Sequence, residues 1–262
     1  DTSCGLTNKS KKLSMKALVE ILGRPQFGNL KSLAIPYRIK LGKTGLKQIS
    51  GLCPHLEVLD FGFYTSTCVN AKDDDLIEAA ERFTSLTSIY TDMWSATSFG
   101  ITSVAETMGG NLLDLRVCGD SITHHYLSDH TFGVIAKSCP NLKNLAYNLR
   151  YPRCYRATLD PLSGEGVIAL VRGCRRLEAL ELEGAKKVGK DVFVTIANMV
   201  AQGGAASDGK ADANDGGEYA LRKINLKGYP FTISGYPFRI EDVNPNGTIQ
   251  HLGQNIVWEM QE

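Results

Sequence analysis

Residues 139–147 read Cys139-Pro-Asn-Leu142-Lys-Asn-Leu145-Ala-Tyr147, and the same phrase returns twice with little change. The other copies are Cys53-Pro-His-Leu56-Glu-Val-Leu59-Asp-Phe61 and Cys174-Arg-Arg-Leu177-Glu-Ala-Leu180-Glu-Leu182. Each phrase ends on two apolar residues separated by one spacer, which is the alternation expected of a short strand with one buried face. The phrase therefore predicts a strand, and its return predicts an array of similar units.

Weaker copies of the phrase fill the remaining intervals. Counting them, the phrase starts near residues 27, 53, 83, 109, 139, 174 and 218, at separations of 26, 30, 26, 30, 35 and 44 residues. Between phrases the apolar spacing becomes helical, as in Phe132, Ile135 and Ala136 before Cys139. One strand and one helix per unit fit the first four separations, and the last two require insertions.

Such units bury their apolar faces only by stacking on one another. The sequence therefore predicts an α/β leucine-rich-repeat solenoid, with a curved parallel sheet on the concave face and helices on the convex face. We expect a lead-in at 1–12 and about seven strand–helix units over 13–226, with a flexible insertion at 201–218 that is rich in Gly, Ala and Asp. Residues 227–262 leave the repeat pattern; the Asn246-Gly247 turn favours a β-type C-terminal capping or docking segment.

The pattern C-P-x-L-x-x-L-x-L, preceded by a helix that ends in Cys, resembles the cysteine-containing leucine-rich repeats. These are typical of F-box and leucine-rich-repeat proteins and of antagonist-of-mitotic-exit-like proteins. Residues 127–142 and 164–182 carry the resemblance best, and it extends over 13–226. It implies the substrate-recognition part of a ubiquitin-ligase adaptor, although we expect no F-box in the sequence as given. The alternative is a structural subunit permanently built into a larger multiprotein assembly.

Charge and cysteine usage narrow the class of partner. Lys and Arg number 29 and Asp and Glu 28, so a net charge of +1 creates no strong field towards nucleic acid or an anionic membrane. No apolar run approaches the roughly 18 residues of a membrane helix. The seven cysteines are odd in number and include no C-x-x-C pair. We expect protein partners, no nucleic acid, no membrane insertion, and an intracellular location that is cytoplasmic or nuclear, with an organelle left open.

The residues that alternate with the buried strand positions should line the concave face, where solenoids bind their partners. By this alternation, Cys118 and Ala146 are also expected to be exposed on the concave face. The face is mixed and somewhat acidic, turning basic at the last strand, and its acidic residues suit a basic or polar peptide surface. The insertion after the fifth strand is a second candidate, because Arg and aromatic residues are favoured at contact hot spots. The predicted partner-binding residues are Asp60, Tyr90, Asp92, Asp114, Arg116, Asn144, Asn148, Glu181, Glu183 and Lys223 on the concave face, and Arg150, Tyr151, Arg153 and Tyr155 in the loop.

Residues that could carry chemistry have simpler interpretations. The histidines at 124, 125 and 130 match no metal spacing that we can justify, and the acidic run at 73–75 suits a helix N-terminus. Cys53, Cys139 and Cys174 occupy one repeated position, which indicates buried structural thiols. Cys68, Cys118 and Cys154 fall outside that pattern, and one of them could be reactive. Asp75, Thr131 and Ser163 lie near expected helix starts, where they can cap backbone N–H groups. We therefore expect no enzyme, metal or cofactor.

Overall fold

The computed structural model describes residues 14–35, 39, 42–61, 71–92, 96–120, 127–150, 162–183, 188, 190–201, 219–221, 223–227, 247–252 and 255–260. The lead-in at 1–12, most of the insertion at 201–218 and most of the segment at 227–262 lie outside these residues, so the domain boundaries stay predictions. No helix in the described part of the chain is both long and apolar enough to span a membrane.

Nine strands among the described residues form one sheet in the order β1-β2-β3-β4-β5-β6-β7-β9-β8. The first seven are parallel and follow chain order. The hairpin of β8 and β9 adds antiparallel to β7. The strands are β1 (Ser32–Ala34), β2 (Val58–Asp60), β3 (Ser88–Asp92), β4 (Asp114–Asp120), β5 (Asn144–Arg150), β6 (Ala179–Glu183), β7 (Lys223–Lys227), β8 (Gly247–Leu252) and β9 (Asn255–Met260).

One α-helix precedes each parallel strand, and helices of successive units pack against each other. The strand–helix alternation explains why neighbouring strands are parallel, because each helix returns the chain to the same end of the sheet. The helices are α1 (Met15–Leu22), α2 (Lys43–Leu52), α3 (Asp73–Arg82), α4 (Ser98–Met108), α5 (Asp129–Ser138), α6 (Gly164–Gly173) and α7 (Lys190–Ala201).

Strands and helices share one continuous apolar core. Leu59, Ile89 and Leu115 are neighbours in register and fully buried, and Leu76 and Ile101 of the helices belong to the same cluster. The α/β class and the ladder of parallel strands at the repeated phrases are thereby confirmed. The architecture is compatible with the predicted leucine-rich-repeat solenoid, whereas its curvature, the family and a capping role for the β8–β9 hairpin stay predictions.

The repeated cysteine follows the last residue of three helices and bonds to the preceding unit. Cys139 Sγ donates to the carbonyl of Ala105 at 3.5 Å, and Cys174 Sγ donates to the carbonyl of Cys139 at 3.3 Å. Cys53 Sγ lies 4.0 Å from the carbonyl of Phe27. Burial raises the pKa of Cys53, and that of Cys139 to about 12; burial first, and then the nearby Cys139, raise the pKa of Cys174 to about 12. These thiols stay protonated and structural.

Aspartates at the start of two helices bind the start of the next helix. Asp73 accepts hydrogen bonds from the backbone N–H of Thr97 at 2.6 Å and from its hydroxyl at 2.7 Å. Asp129 accepts the same pair of bonds from Ser163, both at 2.7 Å. Thr97 and Ser163 are themselves the N-caps of α4 and α6. We call these two contacts the inter-repeat caps; each ties one unit to the next through a charge-assisted hydrogen bond.

Of the predicted capping residues, Ser163 is the N-cap of its helix, where its hydroxyl accepts from Glu165 N. Asp75 and Thr131 instead occupy the third position of α3 and α5. From there Asp75 accepts from the backbone N–H of Lys72 at 3.1 Å, as the outer residue of a capping arrangement does. All three predicted residues therefore lie at helix starts and take part in capping.

Glycine is required where the inter-repeat caps cross to the next helix. A Cβ at Gly100 would come within 3.0 Å of the Asp73 carboxylate, and a Cβ at Gly166 would approach the Asp129 carboxylate equally closely. A Cβ at Gly173 would collide with the backbone carbonyl of Ala136. Real Cβ atoms do not come this close, so successive helices are closely packed at these three glycines.

Candidate protein-binding face

The sheet has a second face, opposite the described helices. On β1, β2, β5 and β6 the core residues alternate with partly or fully exposed ones, as in buried Leu145 and Tyr147 beside partly exposed Ala146 and Asn148. On β3 and β4 this second face also holds the buried residues Ser88, Asp114 and Cys118. We call the partly exposed side the open face. Register aligns its residues into rows that run across the strands, and the central row is Ala34, Asp60, Tyr90, Arg116, Ala146, Glu181 and Asn225.

Three of the predicted residues form a contact cluster on the open face. The hydroxyl of Tyr90 donates to Asp114 Oδ2 at 3.1 Å. Arg116 donates to the same carboxylate from Nε at 3.3 Å and from Nη2 at 3.1 Å. Its guanidinium carbon also lies 4.5 Å from the centre of the Tyr90 ring, within cation–π distance. We call Tyr90, Asp114 and Arg116 the recognition cluster.

Burial within the recognition cluster is graded. The Asp114 side chain is 12% exposed, whereas that of Arg116 is 34% exposed. The carboxylate therefore lies beneath the two larger side chains and holds both of them, while both side chains remain partly exposed. Strand geometry explains the assembly, because residues at equivalent positions of neighbouring strands bring their Cβ atoms to within roughly 5 Å.

The next strands carry a different arrangement. Ala146 lies in register between Arg116 and Glu181, and Asn148 lies in register between Cys118 and Glu183. The carboxamide oxygen of Asn148 is buried and has no hydrogen-bond partner. A buried acceptor left unpaired is unfavourable, and most native structures avoid it. The open face therefore combines a satisfied cluster on β3 and β4 with an unsatisfied acceptor on β5.

The other predicted residues are placed less completely. Asp60 and Asn144 occupy open-face positions next to the recognition cluster, in register with Tyr90 and Asp114 respectively. For Asp92, Glu183 and Lys223 only the backbone position is described: Asp92 ends β3, Glu183 ends β6 and Lys223 begins β7. Tyr151, Arg153 and Tyr155 lie outside the described residues, so their predicted role stays a prediction.

Two sequence-based placements were wrong. Arg150 is the last residue of β5 and pairs in register with Asp120, so it is not a loop residue; β4 and β5 pair over seven residues and carry the strand further than the phrase indicated. Cys118 was expected to be exposed on the concave face but is only 3% exposed. Its neighbour in register is Asn148, whose oxygen is also buried, so the open face is covered where these two residues lie.

Residues with possible chemistry contribute no assembled site in the described ranges. Asp129, part of the His-rich stretch, is held by Ser163, and His130 is exposed. Asp73 and Asp75 both accept hydrogen bonds at helix starts. Across the described ranges no group of three or more His, Cys, Asp or Glu side chains is arranged to hold a metal ion. The carboxylates are thus used in capping.

Comparison with known proteins gives little further information. No protein-family model matches the chain, and no curated protein sequence matches it. Among solved structures, a chain of the yeast Rad7 and Elc1 complex is similar at 16% identity with a TM-score of 0.41. The match covers 70% of this chain and 52% of the other, so the chain spans about half the length of the one it matches. A likeness at this level carries no weight for fold or function.

Proposed function

We propose that this protein is a recognition module that binds a protein partner through the open face of its sheet and catalyses no reaction itself. The observation that carries the proposal is the recognition cluster. Arg and Tyr, with Trp, are enriched at contact hot spots. Here Asp114 and the Tyr90 ring already hold Arg116 in one position. Binding a partner on these ordered side chains therefore costs less side-chain entropy than binding it on mobile residues would.

Charge defines the chemistry of the partner. By backbone register, the open-face positions of β2 to β6 include six acidic residues and two basic residues, Arg116 and Arg150, so the surface favours a basic segment. The six acidic residues are Asp60, Asp92, Asp114, Asp120, Glu181 and Glu183. Opposite charges raise the rate of encounter and fix orientation more than they raise affinity. We infer that a protein segment with exposed Lys or Arg crosses these strands.

The resemblance to F-box and leucine-rich-repeat proteins gives this module a finer role. We propose that it is the substrate-recognition part of a ubiquitin-ligase adaptor inside the cell. The protonated state of Cys139 and Cys174, whose pKa values burial raises to about 12, is consistent with binding rather than thiol catalysis. A subunit permanently built into a larger assembly is the alternative, and the stoichiometry of the isolated complex distinguishes the two.

The test is partner retention by matched variants. The tagged protein is isolated from its native extract, and bound proteins are quantified by mass spectrometry for wild type, Tyr90→Ala and Arg116→Ala. The controls are Phe99→Ala and Arg172→Ala, which remove the same kinds of side chain from exposed positions on helices α4 and α6.

We expect the open-face variants to lose a partner that both controls retain. Ligase components that the open-face variants retain while they lose another protein would support the adaptor role. A partner in fixed ratio, released by neither pair of variants, would contradict the open face as the binding surface and favour the structural subunit.

A further inference from the structure

Exposed charges at one repeated helix position change sign along the layer of helices. The ninth residue after the N-cap is acidic on α3 and α4 and basic on α5 and α6. These residues are Glu81, Glu106, Lys137 and Arg172, and all of them are exposed. Successive helices pack against each other roughly 8–10 Å apart, so these side chains form a row across the outer surface of the helices. We call this surface the helix side and the row the charge row.

The acidic half of the charge row is locally unfavourable. Glu81 and Glu106 lie in the last turn of their helices, where the negative end of the macrodipole disfavours a carboxylate. In the described part of the chain neither side chain forms an ion pair, and α4 has no basic residue in its last turn. Lys137 and Arg172 form no ion pair with a described residue either. A cation from outside the chain would therefore stabilise the two glutamates.

A second row of the helix side carries an exposed aromatic residue. The second residue after the N-cap faces the same way as the ninth, because seven residues are close to two helical turns. On α4 this residue is Phe99, which is 65% exposed, and on α5 it is His130, which is also exposed. Between the two rows α4 and α5 present uncharged, partly exposed residues, namely Thr102, Ser103, Gly133 and Val134. Another surface can therefore approach α4 and α5 between the rows without burying a carboxylate or an ammonium group.

The charge row is complementary to itself. A partner of one sign would be repelled by half of the row. A second copy presents the two halves in the opposite order when it is rotated by half a turn about an axis that runs parallel to the helices, between α4 and α5. The rotation places Glu106 of each copy opposite Lys137 of the other, and it places Glu81 opposite Arg172. It also covers Phe99 with the start of α5.

We propose that two copies of this chain associate through the helix side in this two-fold arrangement. An isologous contact forms every pair twice, so Glu106 and Lys137 of both copies are paired at once. Exposed ion pairs contribute little individually, and the dimer should therefore be weak and reversible. The proposal goes beyond the proposed function, and the open face on the opposite side of the sheet stays free for the protein partner.

Sedimentation equilibrium of the purified chain tests the proposal. A monomer–dimer equilibrium is expected at low salt. The association constant should fall by about tenfold or more between about 0.1 M and about 1 M NaCl, because the screening length falls from about 10 Å to about 3 Å. A chain that stays monomeric at low salt up to its limit of solubility, or a dimer that salt does not weaken, would overturn the proposal.

Charge-reversed variants identify the pairs. Glu106→Lys and Lys137→Glu each turn attractive pairs into repulsive ones, so each alone should weaken self-association by about tenfold or more. An equimolar mixture of the two variants should associate at least as tightly as wild type, because opposite charges then face each other at both contacts. Misfolding of either variant would not produce this recovery. If the mixture associates no better than either variant alone, the two-fold arrangement is wrong.

Two further substitutions check the position of the axis. Lys43→Glu is the matched control, since it reverses an exposed charge at the start of α2, outside the charge row, and should leave the association constant nearly unchanged. Glu165→Lys should raise the association constant, because the rotation brings Glu165 opposite Asp74 of the other copy, and both residues are exposed. Equal losses for Lys43→Glu and Lys137→Glu, or weaker association of Glu165→Lys, would contradict the arrangement.

Dimer formation and partner binding are tested separately. Phe99→Ala and Arg172→Ala alter the helix side and leave the open face intact, so a partner that both variants retain does not need the dimer. A dimer that passes these tests, in a protein whose partner ignores Tyr90→Ala and Arg116→Ala, would contradict the proposed function alone.

Discussion

Two aspartates that accept hydrogen bonds from neighbouring units show how differently the two sides of the molecule are built. Asp129 on the helix side bonds to the backbone and hydroxyl of Ser163, one repeat further along. Asp114 on the open face bonds instead to Tyr90 and Arg116, which are partly exposed. The first carboxylate joins repeats. The second positions side chains that a partner can contact.

The contrast continues in what surrounds each aspartate. Around Asp129 the packing leaves no room, since even a Cβ at Gly166 would collide with it. Around Asp114 the Tyr90 and Arg116 side chains are partly exposed, and on the neighbouring strand the buried oxygen of Asn148 has no hydrogen-bond partner. Close packing between helices serves stability, whereas a partly exposed side chain such as Arg116 adds little to it and can contact a partner. Substitutions on the two sides should therefore affect different measurements.

The largest effect is expected from Asp129→Ala. It removes two hydrogen bonds to a charged acceptor, so the free energy of unfolding should fall by about 3 kcal/mol. Asp74→Ala is the control, because Asp74 is exposed in the first turn of α3 and its loss should cost only about 0.5 kcal/mol. Urea denaturation measures both. Equal losses for the two variants would show that the inter-repeat caps do not stabilise the fold.

A smaller loss of stability is expected from Gly173→Ala. The new methyl group would meet the backbone carbonyl of Ala136, which cannot move cheaply, so about 2 kcal/mol should be lost. Gly133→Ala is the matched control, since a Cβ there meets no atom within 4 Å and alanine favours the helix by about 0.5–1 kcal/mol. Thermal or urea unfolding should therefore shift in opposite directions. Destabilisation by both variants would contradict the packing described for α5 and α6.

Asp114→Ala should separate binding from stability. Without the carboxylate, Arg116 and Tyr90 lose their common acceptor, and affinity for the partner should fall by about tenfold or more, or roughly 1.4 kcal/mol. The pair is partly exposed, so the free energy of unfolding should fall by less than about 1 kcal/mol. Calorimetric titration with the isolated partner and urea denaturation give the two values. A large loss of stability with unchanged affinity would show that Asp114 stabilises the fold and does not position residues for binding.

The buried cysteines should make the free energy of unfolding fall as the pH rises into the alkaline range. Burial raises the pKa of Cys139 and Cys174 in the folded protein from the usual 9.0 to about 12. Their contribution is therefore complete below the unfolded pKa and is lost as the pH rises towards 12. At pH 9.5 the pair should have lost about 1–2 kcal/mol relative to pH 7.5.

A double variant, Cys139→Ala with Cys174→Ala, isolates this contribution from other groups that titrate at high pH. It should be less stable than wild type at pH 7.5 but lose less stability on going to pH 9.5. Urea denaturation with reductant at both values measures the difference. Parallel losses in wild type and variant would mean that these thiols titrate alike in the folded and unfolded chain.

The strand phrases predicted the fold class because the spacing of apolar residues within a short segment is enough to indicate a strand. Leu142 and Leu145 repeat the spacing of Leu56 and Leu59, and the pattern placed all seven parallel strands. The same alternation identified Tyr90, Asp114 and Arg116 as face residues. It could not show that they contact one another, because register between strands depends on how the repeats stack.

Contacts between repeats are reflected in the sequence only by a weak pattern. Asp73 precedes Thr97-x-x-Gly100, and Asp129 precedes Ser163-x-x-Gly166, so an aspartate is followed by a capping hydroxyl and then a glycine. The meaning of this pattern appears only once the helices are placed side by side. Burial of Cys118 was missed for the same kind of reason, since alternation along a strand says nothing about what covers its face.

The most direct test places a photo-crosslinking residue on either side of the molecule. Benzoylphenylalanine at position 146 lies on the open face, and the same residue at position 99 lies on the helix side. The account predicts a covalent adduct with the partner from position 146 that Arg116→Ala diminishes and Arg172→Ala does not, and none from position 99. An adduct from position 99 alone, or one from position 146 that both arginine variants affect equally, would contradict binding through the open face.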